Sequence, residues 1–195
     1  ILPFLWLIAW SLEALQNHQG NFYLDEIVNS LVLASGGALM IGLSALVMAY
    51  TARRHDDPMT HSALRIATLG YALPGTVLAV GLFVGFTWVD LAVSGVLGIE
   101  SVLQGSLAML FIGYGIRFLA VGYHPVNSAM LRITPSIDEA AQSVGVRGVK
   151  MLWRVHVPIL KSGLLTALLL GFVDIMKEMP ITLMIRPFGW DTLAV

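Results

Sequence analysis

Two polar clusters interrupt an otherwise apolar sequence, and their residue types point to different work. Asp174, Lys177 and Glu178 follow the uncharged run Ser162 to Val173. Carboxylate oxygens suit a hard cation, and ionisable groups inside a membrane segment often line a permeation route. Asp174 and Glu178 are therefore a candidate translocation path. Asp174 and Lys177 could instead pair locally at i, i+3, which would leave the cluster facing headgroups or water. The second cluster is Asp138-Glu139-Ala140-Ala141-Gln142-Ser143-Val144-Gly145, with Pro158 thirteen residues further on. It is patterned as a helix and offers a recognition surface rather than a reactive group.

Other chemistries find little support. No G-x4-G-K-[ST] occurs, so the chain does not hold ATP through a P-loop. The five histidines (His18, His55, His61, His124 and His156) show no H-E-x-x-H spacing or close pairing and read as loop or interface residues. Nothing resembles a nucleophile elbow. The absence of cysteine excludes disulfides, zinc–thiolate sites and iron–sulfur clusters. Eleven Lys and Arg in 195 residues are too few for a nucleic-acid surface. The sequence thus predicts no catalytic residue, cofactor site or resident metal, and no enzyme.

The elements that must position the two clusters are membrane helices. The chain is 57% hydrophobic and 12% charged, with a mean hydropathy of +0.81, against roughly a quarter charged in soluble domains. Ile27 to Ala52 and Ile66 to Val89 contain no Asp, Glu, Lys or Arg, and about 20 such residues span a bilayer. The pattern predicts an all-α, polytopic helical membrane protein with five spans: Ile1 to about Leu15, Ile27 to Tyr50, Ile66 to Val89, Ser101 to Gly122, and about Ile159 to Met179. Residues 1–22 form the first span and its connection; residues 23–195 form the main membrane domain. Asp174 falls about 22 Å along the fifth span at 1.5 Å per residue. Pro74 is expected to kink or break the third span, and Gly81 and Gly85 to permit close helix packing. The chain begins at Ile1 without methionine or a basic leader and reads as part of a longer protein.

Charge sets the expected orientation. The connections around Arg53, Arg54 and Arg65, and around Arg132, Arg147, Lys150, Arg154 and Lys161, hold 8 of the 11 Lys and Arg. The connections Gln16 to Glu26 and Asp90 to Glu100 hold none, and four acidic residues. The positive-inside rule places the basic connections in the cytoplasm. The longer of these, about residues 123–161, contains the second cluster. Thr134 with Pro135 forms a helix start, or Ser136 and Glu139 form a capping box. Ile137, Ala140, Ala141 and Val144 recur at helical spacing, giving a shallow apolar face, and Gly145 supplies the stop. A second short helix is expected over Arg147 to Arg154, with Val149, Leu152 and Trp153 on its apolar side. The pair could dock an outside partner or pack on its own bundle.

Glu139-Ala140-Ala141, then Gly145, then Val155-His156-Val157-Pro158 resembles the E-A-A-x3-G-x9-I-x-L-P motif of binding-protein-dependent ABC importer permeases, with Val at both apolar positions before the proline. The resemblance runs from about Asn29-Ser30 to the end of the chain. It implies a type I permease in the bacterial inner membrane, with Glu139, Ala140, Ala141, Gly145 and Pro158 docking a cytoplasmic ATPase dimer. Further implied partners are a periplasmic substrate-binding protein, a second permease half, fused or separate, and membrane lipid; no nucleic acid is implied. Lys177-Glu178-Met179-Pro180 and Arg186-Pro187-Phe188 with Asp191-Thr192-Leu193-Ala194 are similar to the second half of ferric-iron importer permeases. That similarity implies iron as cargo and a missing sixth span. Permeases for thiamine, polyamine, phosphonate or sulfate share the motif. A secondary transporter without an ATPase is the alternative of a different class.

Overall fold

A chain in hydrocarbon must satisfy its own backbone, and a helix does so within one segment. The computed structural model, which describes residues 2–17, 22–97 and 103–195, obeys this throughout. α1 (Leu2–Asn17) precedes the long α2 (Phe22–Arg54). α3 (Pro58–Thr68), a 3-10 turn over Leu69–Ala72 and α4 (Gly75–Leu97) follow. α5 (Leu107–Met130) leads into the short α6 (Pro135–Ser143). α7 (Val149–Met151), a π-turn over Leu152–His156 and α8 (Val157–Met176) make one continuous helical path, and α9 (Pro180–Ile185) comes last. The described residues contain no strand, so the expected all-α polytopic fold is the one that forms.

α2, α5 and α8 pack against one another as the centre of the bundle. One buried cluster includes Leu33, Ile41, Leu110, Tyr114, Phe118 and Ile175; a second, toward the Arg53 end, includes Ala45, Leu46, Val126, Met130 and Leu160. Lipid tails are as apolar as leucine, so helices associate through close packing of small residues. At Gly163 of α8 a Cβ would come within 2.7 Å of Ala129 Cβ and 2.9 Å of the Pro125 carbonyl oxygen. Only glycine lets α8 approach α5 this closely.

Among the described residues, four stretches are long and apolar enough to cross a membrane: Leu24–Arg54, Gly75–Gly95, Leu107–Met130 and Val149–Met176. The described part of α1 holds 16 residues, Leu2–Asn17. The third expected span is displaced. Pro74 breaks it outright, leaving α3 and the 3-10 turn on one side and a membrane helix that starts at Gly75 on the other. The fourth, expected over 101–122, runs from Leu107 to Met130. The Ser106 hydroxyl caps its start by accepting the Met109 N–H at 3.2 Å. Its last turns contain Pro125 and the polar stretch that suggested a loop. The expected packing at Gly81 and Gly85 does not form within the described residues. Both are exposed, and a Cβ added at either would meet nothing within 4 Å, because α4 stands at the bundle edge.

Candidate functional site

α6 is built as its sequence dictates. Thr134 is extended and Pro135 opens the helix, so the start at Thr134 is used and the Ser136 capping box is not. Gly145 sits at φ +81°. Its N–H reaches the Gln142 carbonyl at 3.0 Å, and the Val146 N–H reaches that of Ala141 at 2.9 Å. Paired bonds of this kind around a left-handed residue end a helix by the Schellman pattern, for which glycine carries no Cβ penalty.

The two sides of α6 face different surroundings. Ala141 is buried and Ile137 half-buried against the bundle. Glu139, Ala140, Gln142 and Ser143 are exposed or nearly so on the other side, and Val144 is 76% exposed. The expected apolar face therefore splits, with Ile137 and Ala141 turned inward and Ala140 and Val144 outward beside Glu139. The second short helix starts at Val149, and it buries Met151 and Leu152 while Val149 and Trp153 remain exposed.

What fixes α6 in place is Asp138. Its Oδ2 accepts two bonds from Arg53 of α2, from Nη2 at 2.7 Å and Nε at 3.0 Å. Its Oδ1 lies 2.8 Å from His156 Nε2; facing a carboxylate, that nitrogen carries the proton. Arg53 Nη1 also donates to the Met130 carbonyl at the end of α5, at 3.3 Å. One carboxylate thus joins α6 to the end of α2 and to the π-turn before α8, and Arg53 carries the link on to the end of α5. Burial pushes the Asp138 carboxyl up, but the hydrogen bonds from His156 and Arg53 and the Arg53 charge outweigh it and hold the group below the usual carboxylate range. His156 is 1% exposed and its Nδ1 has no hydrogen-bond partner. It is a buried structural histidine, not the loop or interface residue the sequence led us to expect.

His156 lies in the π-turn, where the Val157 N–H bonds to the Leu152 carbonyl. Pro158 follows in the first turn of α8. A proline in a continuous helix loses one backbone bond and crowds the carbonyl four residues earlier. The widened turn before Pro158 accommodates both, so the helical path continues where the sequence suggested a boundary. Beside the clamp a pocket of about 370 Å³ is lined by Tyr50, Arg53, Arg54, Gln142, Arg147 and His156, among others.

At the other end of α8 the two candidate path carboxylates have separate partners. Asp174 Oδ1 pairs with Lys177 Nζ at 2.7 Å, the local i, i+3 arrangement. Glu178 is 6% exposed and lies 3.1 Å from Arg117 Nε of α5. Its Oε1 also accepts the Ile181 N–H at 3.1 Å. Beyond α9, Arg186 pairs with Asp191, the Asn29 amide donates to the carbonyls of Gly189 (3.3 Å) and Asp191 (3.1 Å), and the Leu193 N–H donates to Ser30 Oγ at 2.9 Å. Among the described residues no three His, Asp or Glu side chains group to hold a metal ion.

Residues 41–192 match the binding-protein-dependent transport system inner membrane component family. The chain belongs to that family. This inner membrane component is similar to the Fe(3+)-transport system permease protein FbpB 2 of Haemophilus influenzae, at 25% identity over all of this chain and 37% of that protein. It is 27% identical to the ferric transport system permease protein FbpB of Actinobacillus pleuropneumoniae, over 77% of this chain and 20% of the other. It is also 25% identical to the putative 2-aminoethylphosphonate transport system permease protein PhnV of Salmonella typhimurium, over 88% of this chain and 61% of the other. The chain thus spans well under half the length of the ferric relatives it matches. The matched region of the inner membrane component holds Arg53, Arg117, Asp138, His156, Asp174 and Glu178. Of these, Arg53 drew attention in the sequence only as a basic residue, and Arg117 was not singled out at all. Their partners lie 85 and 61 positions away in the chain, at Asp138 and Glu178; an arginine inside an apolar helix is the one signal that could have found Arg117.

Proposed function

We propose that this chain is a transmembrane part of an ATP-driven importer, non-enzymatic itself, whose α6 docks a cytoplasmic ATPase dimer. Family membership supports the reading, and the single observation that carries it is the outward half of α6. Glu139, Ala140 and Val144 are presented free of the bundle while Asp138 anchors the helix to Arg53 of α2, which also holds the end of α5, and to His156 before α8. Force applied to the outer face would therefore reach three membrane helices through one residue. Gly145 ends the docking helix and Pro158 starts the helix that receives the motion.

The cargo we infer is ferric iron delivered by a periplasmic binding protein, with residues 23–195 as the permease domain, a second permease half opposite it and α6 on the cytoplasmic side. Two ferric relatives and the Lys177 to Ala194 segment support this. A 2-aminoethylphosphonate cargo is the second reading, favoured by the similarity to the Salmonella protein. Uptake of radiolabelled ferric iron and of labelled 2-aminoethylphosphonate by cells carrying the complete system separates the two. Coupling is tested with Glu139→Lys, which reverses an exposed charge, and Gly145→Pro, which cannot adopt φ +81°. Both are expected to abolish uptake while membrane insertion persists; normal uptake with either would sink the docking role.

A further inference from the structure

Two helix breaks lie side by side, one at Leu73-Pro74 between the 3-10 turn and α4, the other at Lys177–Met179 between α8 and α9. Broken backbone inside a membrane is tolerated where protein groups satisfy it. Here each break is satisfied by one member of an ion pair. Arg117 Nη1 donates to the Leu73 carbonyl at 2.9 Å, taking up an acceptor at the first break. Glu178 Oε1 accepts the Ile181 N–H at 3.1 Å, taking up a donor of the second. The two caps then face one another, with Arg117 Nε 3.1 Å from Glu178 Oε2.

Arg117 is the sole Asp, Glu, Lys or Arg in α5. It stands about 15 Å from the start of that helix at 1.5 Å per residue, and its side chain is 19% exposed. A charge at such depth is expensive and is kept where it serves a pathway or a moving part. The bridge is an ion pair without an aligned hydrogen bond. Arg117 Nε is buried, yet it makes no hydrogen bond despite its short distance to Glu178. Attraction holds the pair without the aligned fork that would lock it. Gly75 keeps the passage between them clear: a Cβ there would lie 3.1 Å from Glu178 Oε1 and 3.2 Å from Arg117 Nη1. The neighbouring Tyr114 hydroxyl, 2.7 Å from Thr182 Oγ1, ties α9 to α5 independently.

We propose that Arg117 and Glu178 form the latch of the translocation route, bridging the two helix breaks when the route is closed and parting when it opens. This rests on the importer reading above. The test uses the complete transporter in proteoliposomes, with ATPase rates measured with and without the binding protein. Glu178→Gln keeps an oxygen for the Ile181 N–H and removes only the attraction. Gly75→Ala keeps both charges and wedges a methyl group between them. Each is expected to raise the rate without binding protein by about tenfold, the population change for about 1.4 kcal/mol. A purely structural bridge would lower the unfolding temperature and leave that rate alone. A basal rate within about twofold of wild type in both variants, judged against that tenfold shift, overturns the latch whatever their stability. A wild-type transporter that the binding protein does not stimulate overturns the importer reading itself.

Discussion

Removing the Asp138 side chain should loosen α6 while the spans stay folded. α6 has 9 residues, too short to persist alone, so its protection must come from docking. Asp138→Ala removes two bonds from Arg53 and one from His156. It also strands the Nε2–H of a ring that is 1% exposed. Bonds to charged groups contribute about 1.5–3 kcal/mol each and a stranded buried donor costs about 1–3 kcal/mol. The Asp138 side chain is 21% exposed, however, and water recovers part of this. A net local loss of about 2 kcal/mol corresponds to roughly thirtyfold more frequent opening. Hydrogen exchange followed by mass spectrometry should show the amides of residues 137–146 losing protection by about that factor. Asp138→Asn, which retains one acceptor for Arg53, should fall between. Exchange within about threefold of wild type for α6 in the Ala variant, far short of the thirtyfold expected, would refute the clamp. So would an equal rise across α2, α5 and α8.

Two further outcomes follow from the geometry. The Asp138 carboxyl is held below its usual value, so its stabilising effect is complete above about pH 4 and disappears only as pH falls through the lowered folded value. Protection of α6, corrected for intrinsic exchange, should therefore stay level from about pH 7 to about pH 5, and a decline tied to Asp138 in that interval would contradict the assignment. Gly70→Ala drives a Cβ into the Ile116 carbonyl oxygen and should lower stability in detergent by about 1–3 kcal/mol. Gly81→Ala meets nothing within 4 Å and should be neutral or slightly stabilising by thermal unfolding, since alanine is the better helix former.

α6 was largely legible in the sequence because its signals are local. Thr134-Pro135 opens it and Gly145 closes it within a short stretch, and those residues behave in the structure as their backbone preferences require. The inward face was half legible: helical spacing grouped Ala140 and Val144 with Ile137 and Ala141, but spacing cannot say how wide a stripe the bundle covers. Long-range pairings were not legible at all. Nothing near Arg53 announces Asp138, and hydropathy treats a residue facing lipid and one facing protein alike, which is why close packing was expected at Gly81 and Gly85 while Gly163, where it occurs, was not singled out. Span boundaries slipped where polar residues sit inside helices, as at Tyr123 to Asn127, or where a proline ended one, as at Pro74. His156 was misplaced because a histidine among charged neighbours reads as solvated, whereas its carboxylate partner comes from another helix.

The π-turn before α8 also shifts the phase of the helix. An α-helix advances about 100° per residue, and a turn closed by an i→i+5 bond holds one residue more than a regular turn. Residues before Leu152 and residues after His156 therefore lie on azimuths offset by about 100° from a single helical wheel. Deleting one residue in the turn, such as the exposed Trp153, would bring the two segments back into register. It would rotate Met151 and everything toward α6 by a quarter turn or more relative to α8, swinging α6 to a new bearing while the membrane sequence remained intact.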